Sequence, residues 1–175
     1  MRIIAGRWKG RRLKPLRGKG TRPTTDRVRE SWMAAVGQAL EGATVLDLFA
    51  GSGALGLEAL SRGAESAVFV ERSRGALTTL RANIELLEAG SQTKVTTSDA
   101  MAFVDRLEGV TFDIAFADPP YGLGLALRLL ETFVARPFAS QLWVEHRTTD
   151  PISDLEGLRQ RRYGDTILSI LEAKP

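Results

Sequence analysis

Four consecutive residues, Asp118-Pro119-Pro120-Tyr121, carry the groups with the clearest chemistry in this chain. They follow the apolar run 112–117, which is typical of a buried strand. Proline has no N–H to donate to a neighbouring strand, and it restricts the residue before it to extended backbone. This segment, named here the acceptor tip (residues 118–121), therefore offers a carboxylate, carbonyl oxygens and an aromatic ring on a rigid backbone.

An acceptor tip of this composition suits chemistry on the exocyclic amine of a nucleobase. The lone pair of such an amine is delocalised into the ring, so the nitrogen is a poor nucleophile. A carboxylate and a backbone carbonyl can accept both N–H groups, while the tyrosine ring stacks on a base extruded from its helix. We therefore predict that Asp118, Pro119, Pro120 and Tyr121 are catalytic; the alternative is an ordinary tight turn between strand and helix.

A glycine-rich segment follows an earlier apolar run. In LDLFAGSGALG (46–56), Gly51, Gly53 and Gly56 fit the pattern G-x-G-x-x-G, which lets a backbone loop approach a nucleotide-like ligand closely. Glu71 lies twenty residues after Gly51, at the end of the next predicted strand, where a carboxylate can accept both hydroxyls of a ribose. We name residues 51–56 the glycine loop and predict a nucleoside site there.

The glycine pattern alone does not identify the ligand, because it suits a nicotinamide dinucleotide nearly as well as an adenosyl group. Asp47, in the strand before the loop, favours a ligand with a cationic amino group, which dinucleotides lack. The chain is also too short for the substrate domain that usually accompanies a dinucleotide site. Asp99 follows the third predicted strand, where it can accept from an adenine amine or cap the next helix.

The charge is divided unevenly along the chain. Residues 1–29 hold eleven Lys and Arg against one acid, whereas the remainder holds thirteen bases and twenty acids. Such a basic segment indicates a polyanion partner, with Trp8 available to stack on a base, although a solvated or disordered tail is the alternative. The apolar pairs in RIIAG and RRLKPL predict a small hairpin. We expect a basic arm at residues 1–22 that binds RNA, followed by a single domain at 23–175.

The body alternates predicted strands and helices. Five strand-helix units are followed by two strands that meet at Gly164-Asp165, a hairpin signal. This order predicts an α/β, Rossmann-like, seven-stranded sheet, mostly parallel with a C-terminal antiparallel hairpin. The predicted strands are 44–49, 66–71, 94–98, 112–117, 140–146 and two within 157–172.

Composition excludes several functional classes. The chain has no cysteine and one histidine, so a thiolate or histidine-cluster metal site is excluded and we expect no metal. It has no apolar run of membrane-spanning length and no signal-peptide pattern at its start, so we expect a cytoplasmic protein. The single histidine, His146, is expected to be a structural hydrogen-bonding residue.

Taken together, these motifs resemble those of a known family. The stretch VLDLFAGSGALGLEAL (45–60), Glu71, SDA (98–100) and DPPY (118–121) resemble the successive motifs of class I S-adenosylmethionine-dependent amino-methyltransferases. The N-terminal sequence is similar to that of the RsmD family, most specifically at RPTTDRVRE (22–30). The resemblance covers nearly the whole chain.

The resemblance implies a specific reaction and specific site residues. Members of the RsmD family methylate N2 of a guanine in 16S ribosomal RNA, and the family implies the assembled small subunit as partner. The implied donor site for S-adenosylmethionine comprises Asp47, Phe49, Gly51, Gly53, Glu71, Asp99 and Ala100, and the acceptor tip receives the guanine. The expected substrate-binding residues are Arg7, Lys9, Arg11, Arg12, Arg22, Thr24 and Arg29; for residues 22–30, donor, substrate and structural contacts all stay open.

Other functions compete with this one. An adenine-N6 methyltransferase would use the same DPPY motif, but a DNA enzyme of that kind usually carries a separate recognition domain. A glutamine-modifying methyltransferase would leave the basic arm without a purpose. A non-catalytic nucleic-acid-binding Rossmann module would not need Asp118, and a nicotinamide-dependent reductase would not need DPPY.

Overall fold

The computed structural model describes residues 1–16, 26–152 and 154–174. These residues form a sheet of seven strands in the order β3-β2-β1-β4-β5-β7-β6. The first five strands are parallel, and β7 runs antiparallel to both of its neighbours. The strands are β1 (Thr44–Leu48), β2 (Ser66–Glu71), β3 (Thr93–Thr97), β4 (Phe112–Ala117), β5 (Ala139–Arg147), β6 (Arg159–Tyr163) and β7 (Thr166–Glu172). The predicted sheet, including its C-terminal hairpin, is confirmed.

The described part of the chain has five α-helices, of which the first precedes β1 and the other four connect successive parallel strands. They are α1 (Asp26–Val36), α2 (Ala54–Ser61), α3 (Arg74–Leu86), α4 (Ala100–Val104) and α5 (Leu125–Ala135), with 3₁₀ turns at Gly37–Leu40 and Gly90–Gln92. Gly37 has φ +59°, a left-handed conformation that ends α1. No helix in residues 1–16, 26–152 and 154–174 has the length and apolar composition needed to cross a bilayer.

The sheet has an apolar core on each face. One core joins α1, α2 and α3 to the sheet, and the rings of Trp32 and Phe116 meet edge to face there with centroids 5.6 Å apart. The other core joins α4 and α5 to the opposite face through residues such as Val104, Phe133 and Leu142. The burial of both faces explains why the central strands are almost entirely apolar.

The described part of the basic arm forms the predicted hairpin. Ile3 donates its backbone N–H to the Arg11 carbonyl at 2.9 Å and accepts from Gly10 at 2.9 Å. Ile3 and Leu13 are 1% and 4% exposed and belong to the core shared by α1, α2 and α3. The hairpin therefore packs on the body through its apolar residues.

The sheet register brings the two predicted motifs together. In the parallel pair β1–β4, Leu48 lies opposite Ala117. The glycine loop follows β1 and the acceptor tip follows β4, so both extend from the same edge of the sheet. This is the edge at which open α/β sheets bind ligands.

Candidate active site

A cavity of about 1570 Å³ opens at the carboxyl ends of β1, β2 and β4. It exceeds the roughly 300–1,000 Å³ typical of a small-molecule site, so it has room for a nucleoside and a second reactant. Every predicted donor-site residue except Gly53 lines it, as does the whole acceptor tip. The structure therefore brings the two motifs into one cavity.

The backbone of the glycine loop adopts the conformations that its glycines permit. Gly51 and Gly53 have φ +55° and +80°, and Phe49 just before the loop has φ +59°, a strained value for a residue with a side chain. A Cβ on Gly56 would lie 2.4 Å from Cε1 of Phe69, so only glycine allows this contact between α2 and β2. The third glycine of the pattern thus serves the packing of α2 on β2.

Glu71 fixes the glycine loop at the end of β2. Its Oε2 accepts from the Gly51 N–H at 2.9 Å, and its Oε1 accepts from the backbone N–H groups of Arg72 and Ser73 at 2.8 and 2.7 Å. A carboxylate has about four lone-pair sites, so these three bonds leave capacity for a hydroxyl donor from a ligand. Glu71 thus joins the glycine loop to the edge of the cavity.

Asp47 is a buried carboxyl group on the cavity wall. Its side chain is 2% exposed, and Oδ2 accepts from the Gly56 N–H at 2.9 Å. Burial raises the pKa of Asp47 well above its usual range; the Gly56 bond opposes this shift, and the negative charges of Asp118 and Glu71 add to it. A cationic ligand group beside Asp47 would favour the ionised form.

Asp99 has the N-cap role that was one of its two predicted interpretations. Its Oδ1 accepts from the N–H groups of Met101 and Ala102 at 3.0 and 3.1 Å, at the start of α4. Its Oδ2 lies 3.2 Å from a guanidinium nitrogen of Arg72. Asp99 and Ala100 both line the cavity, so the cap places a polar group at the cavity edge.

The acceptor tip is held by residues at the carboxyl end of β5. The Tyr121 hydroxyl donates to Oε1 of Glu145 at 2.8 Å, and the Arg147 guanidinium lies 4.8 Å from the centre of the Tyr121 ring. The Asp150 carboxylate accepts from the backbone N–H groups of Gly122 and Arg147 at 3.1 and 3.0 Å. Burial raises the pKa of Tyr121, and the charges of Asp118 and Glu145 raise it further.

The sequence did not identify Glu145, Arg147 or Asp150 as parts of the site. The available signal was the alternation along β5, because residues two apart project from the same face of a strand. His146 projects from the opposite face, where Nε2 is 2.8 Å from the Ser169 hydroxyl and Nδ1 is 3.0 Å from the Arg147 carbonyl. The structural role expected for His146 is confirmed.

The predicted substrate-binding residues differ in their surroundings. Arg7 lies 3.9 Å over the Trp8 ring, and Arg11 donates to the Leu86 carbonyl at 2.8 Å. Lys9 and Arg12 are exposed on the same hairpin.

Arg29 is 1% exposed, donates to the Arg2 carbonyl and lies 4.0 Å from a carboxylate oxygen of Glu58. For residues 22–30, the sequence left contacts with the donor, with the substrate and within the structure open. The contacts described for Arg29 are structural, and the residue also borders the cavity. Arg22 and Thr24 lie outside the described residues.

The fold and the site together define a class of protein. A parallel sheet in the order β3-β2-β1-β4-β5, with a glycine loop after β1, an acidic residue ending β2 and a DPPY tip after β4, has the architecture of the class I methyltransferases. The family model described as "Conserved hypothetical protein 95" matches residues 1–172. The chain belongs to this family, which is the RsmD family of methyltransferases.

Individual relatives agree with this assignment. The chain is 38% identical to YlbH of Bacillus subtilis over 185 residues, covering 99% of this chain and 100% of YlbH. It is 46% identical over 137 residues to an Escherichia coli protein named "Ribosomal RNA small subunit methyltransferase D", covering 75% of this chain and 67% of the relative. The solved structure of YhhF from Escherichia coli superposes with a TM-score of 0.84 at 35% identity and covers 99% of both chains.

Proposed function

We propose that this protein transfers a methyl group from S-adenosylmethionine to the exocyclic N2 amine of a guanine in 16S ribosomal RNA. The observation that carries the proposal is the shared cavity: the register of Leu48 opposite Ala117 sets the glycine loop beside the acceptor tip. The name of the Escherichia coli relative supports small-subunit ribosomal RNA as the substrate. Because RNA of this kind is cytoplasmic in bacteria, we propose the same location for the protein.

The donor occupies the part of the cavity between the glycine loop and Glu71. Glu71 accepts a ribose hydroxyl with its remaining acceptor capacity. The backbone at Gly51, which lines the cavity, lies beside the amino acid portion of the donor, and Gly53 shapes the loop from behind it. Asp47 balances its ammonium group. Phe49, Asp99 and Ala100 complete the cavity wall around the adenosine.

The acceptor tip activates and orients the guanine. The Asp118 carboxylate and the Pro119 carbonyl accept the two N–H groups of the amine, and the Tyr121 ring stacks on the extruded base. The nitrogen lone pair then attacks the methyl carbon in line with the sulfur. A new N–C bond forms as the S–C bond breaks, S-adenosylhomocysteine leaves, and the surplus amine proton passes to water. Positioning and hydrogen bonding supply the catalysis, with no metal.

The basic arm (residues 1–22) supplies affinity for the RNA backbone, and the domain at 23–175 supplies the chemistry. In this division the residues that contact phosphates from the hairpin surface are Arg7, Lys9, Arg11 and Arg12. The remaining residues proposed to contact the RNA are Arg22, Thr24 and Arg29. Phosphate contacts position the RNA and the cavity selects the base. The assembled small subunit is the proposed form of the partner.

The proposal is tested by incubating the purified protein with labelled S-adenosylmethionine and either naked 16S RNA or small subunits that lack the modification. Digestion to nucleosides and mass spectrometry should show N2-methylguanosine, with no product from an Asp118→Ala control. N6-methyladenosine would identify the rival adenine enzyme. Absence of transfer to any RNA, with intact RNA binding, would support a non-catalytic binding module.

A further inference from the structure

The side chain of Asn83 joins two segments that are far apart in the sequence. It lies on α3 and is 0% exposed. Its Oδ1 accepts from the Lys14 N–H at 2.7 Å, while Nδ2 donates to the Lys14 carbonyl at 3.1 Å and to the Ser52 carbonyl at 2.9 Å. Both N–H donors of the amide are used, so Asn83 connects the basic arm directly to the glycine loop.

The arm residues that Asn83 holds also border the cavity. Lys14, Pro15 and Leu16 line it together with Gly51 and Ser52. Cδ1 of Leu16 lies 3.3 Å from the position that a Cβ would take on Gly51, so the arm packs directly against the loop backbone. These contacts make residues 14–16 one wall of the space beside the glycine loop.

We propose that residues 14–16 form a wall of the donor site and that Asn83 is the positioning residue that sets this wall against the glycine loop. The proposal rests on the proposed function, because it takes this space as the site of the methyl donor. The same arm carries the exposed cations of the hairpin. RNA bound to the arm and donor bound in the cavity are therefore linked through the hydrogen bonds of Asn83 to Lys14 and Ser52. Donor and RNA should therefore raise each other's affinity by the same factor.

The arm has a second attachment that does not touch the glycine loop. Glu58 on α2 accepts from the N–H groups of Ile4 and Ala5 at 2.8 and 3.0 Å. The Ser61 hydroxyl accepts from Trp8 N–H at 3.0 Å and donates to the Ala5 carbonyl at 2.6 Å. A Ser61→Ala variant therefore weakens arm attachment away from the cavity and serves as the matched control for Asn83.

The first experiment compares donor affinity in three full-length variants by calorimetry with S-adenosylhomocysteine. Asn83→Ala should raise its Kd about tenfold, the loss expected when a buried hydrogen-bond network is broken. Leu16→Ala, at a partly exposed position that leaves the core intact, should also weaken binding. Ser61→Ala should leave the Kd within about twofold of wild type. This should hold even if Ser61→Ala lowers the melting temperature as much as Asn83→Ala does.

Two further measurements separate positioning from general stability. In a double-mutant cycle, the effects of Asn83→Ala and Leu16→Ala should be clearly non-additive, because one residue acts through the wall that the other forms. RNA fragments should lower the donor Kd of wild type and of Ser61→Ala, but not of Asn83→Ala.

Equal donor affinities for Asn83→Ala and Ser61→Ala, or additive effects of Asn83→Ala and Leu16→Ala, would overturn the proposal. If Asn83→Ala fails to fold, wild-type affinity in Leu16→Ala overturns it instead. Failure of the wild-type protein to bind S-adenosylhomocysteine would refute the proposed function itself. That result is distinct from the outcomes that would overturn the role of Asn83 alone.

Discussion

The Tyr121 hydroxyl donates a hydrogen bond of 2.8 Å to the Glu145 carboxylate, across the carboxyl ends of the neighbouring parallel strands β4 and β5. Glu145 is 2% exposed, so this bond lies in a poorly solvated environment. With Arg147 4.8 Å from the ring centre, the bond fixes the orientation of the tyrosine ring. In the proposed reaction, a ring fixed in this way would be a prepared stacking surface for the base.

Removing the Tyr121 hydroxyl should reduce activity although the ring remains. Tyr121→Phe takes the phenol donor away from a buried carboxylate, at a cost of about 1–3 kcal/mol. We expect a lower melting temperature and a lower kcat/KM, measured by methyl transfer to RNA. Glu145→Gln is the matched control: it keeps an acceptor oxygen for the phenol and should stay much closer to wild type. Wild-type rates in Tyr121→Phe would show that the hydroxyl bond does not orient the ring.

Asp118→Ala should separate catalysis from donor binding. In the proposed reaction the carboxylate acts on the amine of the base, so methyl transfer should fall below detection while the Kd of S-adenosylhomocysteine changes little. Single-turnover assays and calorimetry on the same preparation measure the two effects. Parallel losses of rate and donor affinity would make Asp118 a donor ligand.

The raised pKa of Asp47 predicts that donor binding is linked to a proton. Burial is the main cause of the shift, and an ammonium group bound beside Asp47 would favour its ionised form. Donor binding should therefore release a proton and become tighter as the pH rises. Calorimetry in buffers of different ionisation enthalpy measures the release. Asp47→Asn should bind the donor more weakly and release none.

The raised pKa of Asp47 also predicts that the fold becomes less stable as the pH rises, whereas donor binding becomes tighter. Above the ordinary carboxyl value of 3.8, the unfolded chain loses a proton that native Asp47 keeps. The contribution of Asp47 to the free energy of unfolding is therefore fully present below that pH. It declines as the pH rises through the raised pKa of the native Asp47 carboxyl group. At neutral pH, Asp47→Asn should melt at a higher temperature than wild type, and acidification should narrow the difference. A constant difference across the pH range would contradict this account.

The sequence predicted those parts of the fold that follow from the regular spacing of apolar residues, namely the strands and helices of the body. The alternation of strands and helices predicted a seven-stranded, mostly parallel sheet with a C-terminal antiparallel hairpin, and the structure has both. The contacts of Glu145 and Asp150 were not predicted, because they depend on the paths of loops after β4 and β5. Asn83 did leave a signal: it is a polar residue three and four positions from Leu80 and Leu87, on the apolar face of α3.

Glu71→Ala should weaken donor and product binding alike. The ribose is common to S-adenosylmethionine and S-adenosylhomocysteine, so contacts with its hydroxyls cannot distinguish them. The loss should exceed that of a hydroxyl contact alone, because Glu71 also accepts from the N–H groups of Gly51 and Ser73. Titration of each ligand into Glu71→Ala and Glu71→Gln measures this. A preference for one ligand would place Glu71 near the sulfur.

The basic arm offers a test of RNA binding that leaves the fold intact. Within the part of the chain that the structure describes, the side chains of Lys9 and Arg12 have no hydrogen-bond or ion-pair partner, whereas Arg7 bonds to Gln92 and Arg11 to the Leu86 carbonyl. Lys9→Gln with Arg12→Gln should therefore remove charge without disturbing the hairpin. RNA affinity should fall, and each lost phosphate contact should flatten the log–log salt slope by about 0.7–0.9.

Exposed charges on the body provide the matched control for the arm variant. Arg128→Gln with Arg81→Gln removes the same formal charge from α5 and α3, and should change RNA affinity far less if the arm makes the phosphate contacts. Filter binding across a range of salt concentrations measures affinity and slope together, and circular dichroism checks the fold. Equal losses in the two double variants would mean that the RNA responds to net charge alone. The specific role of the hairpin would then have to be abandoned.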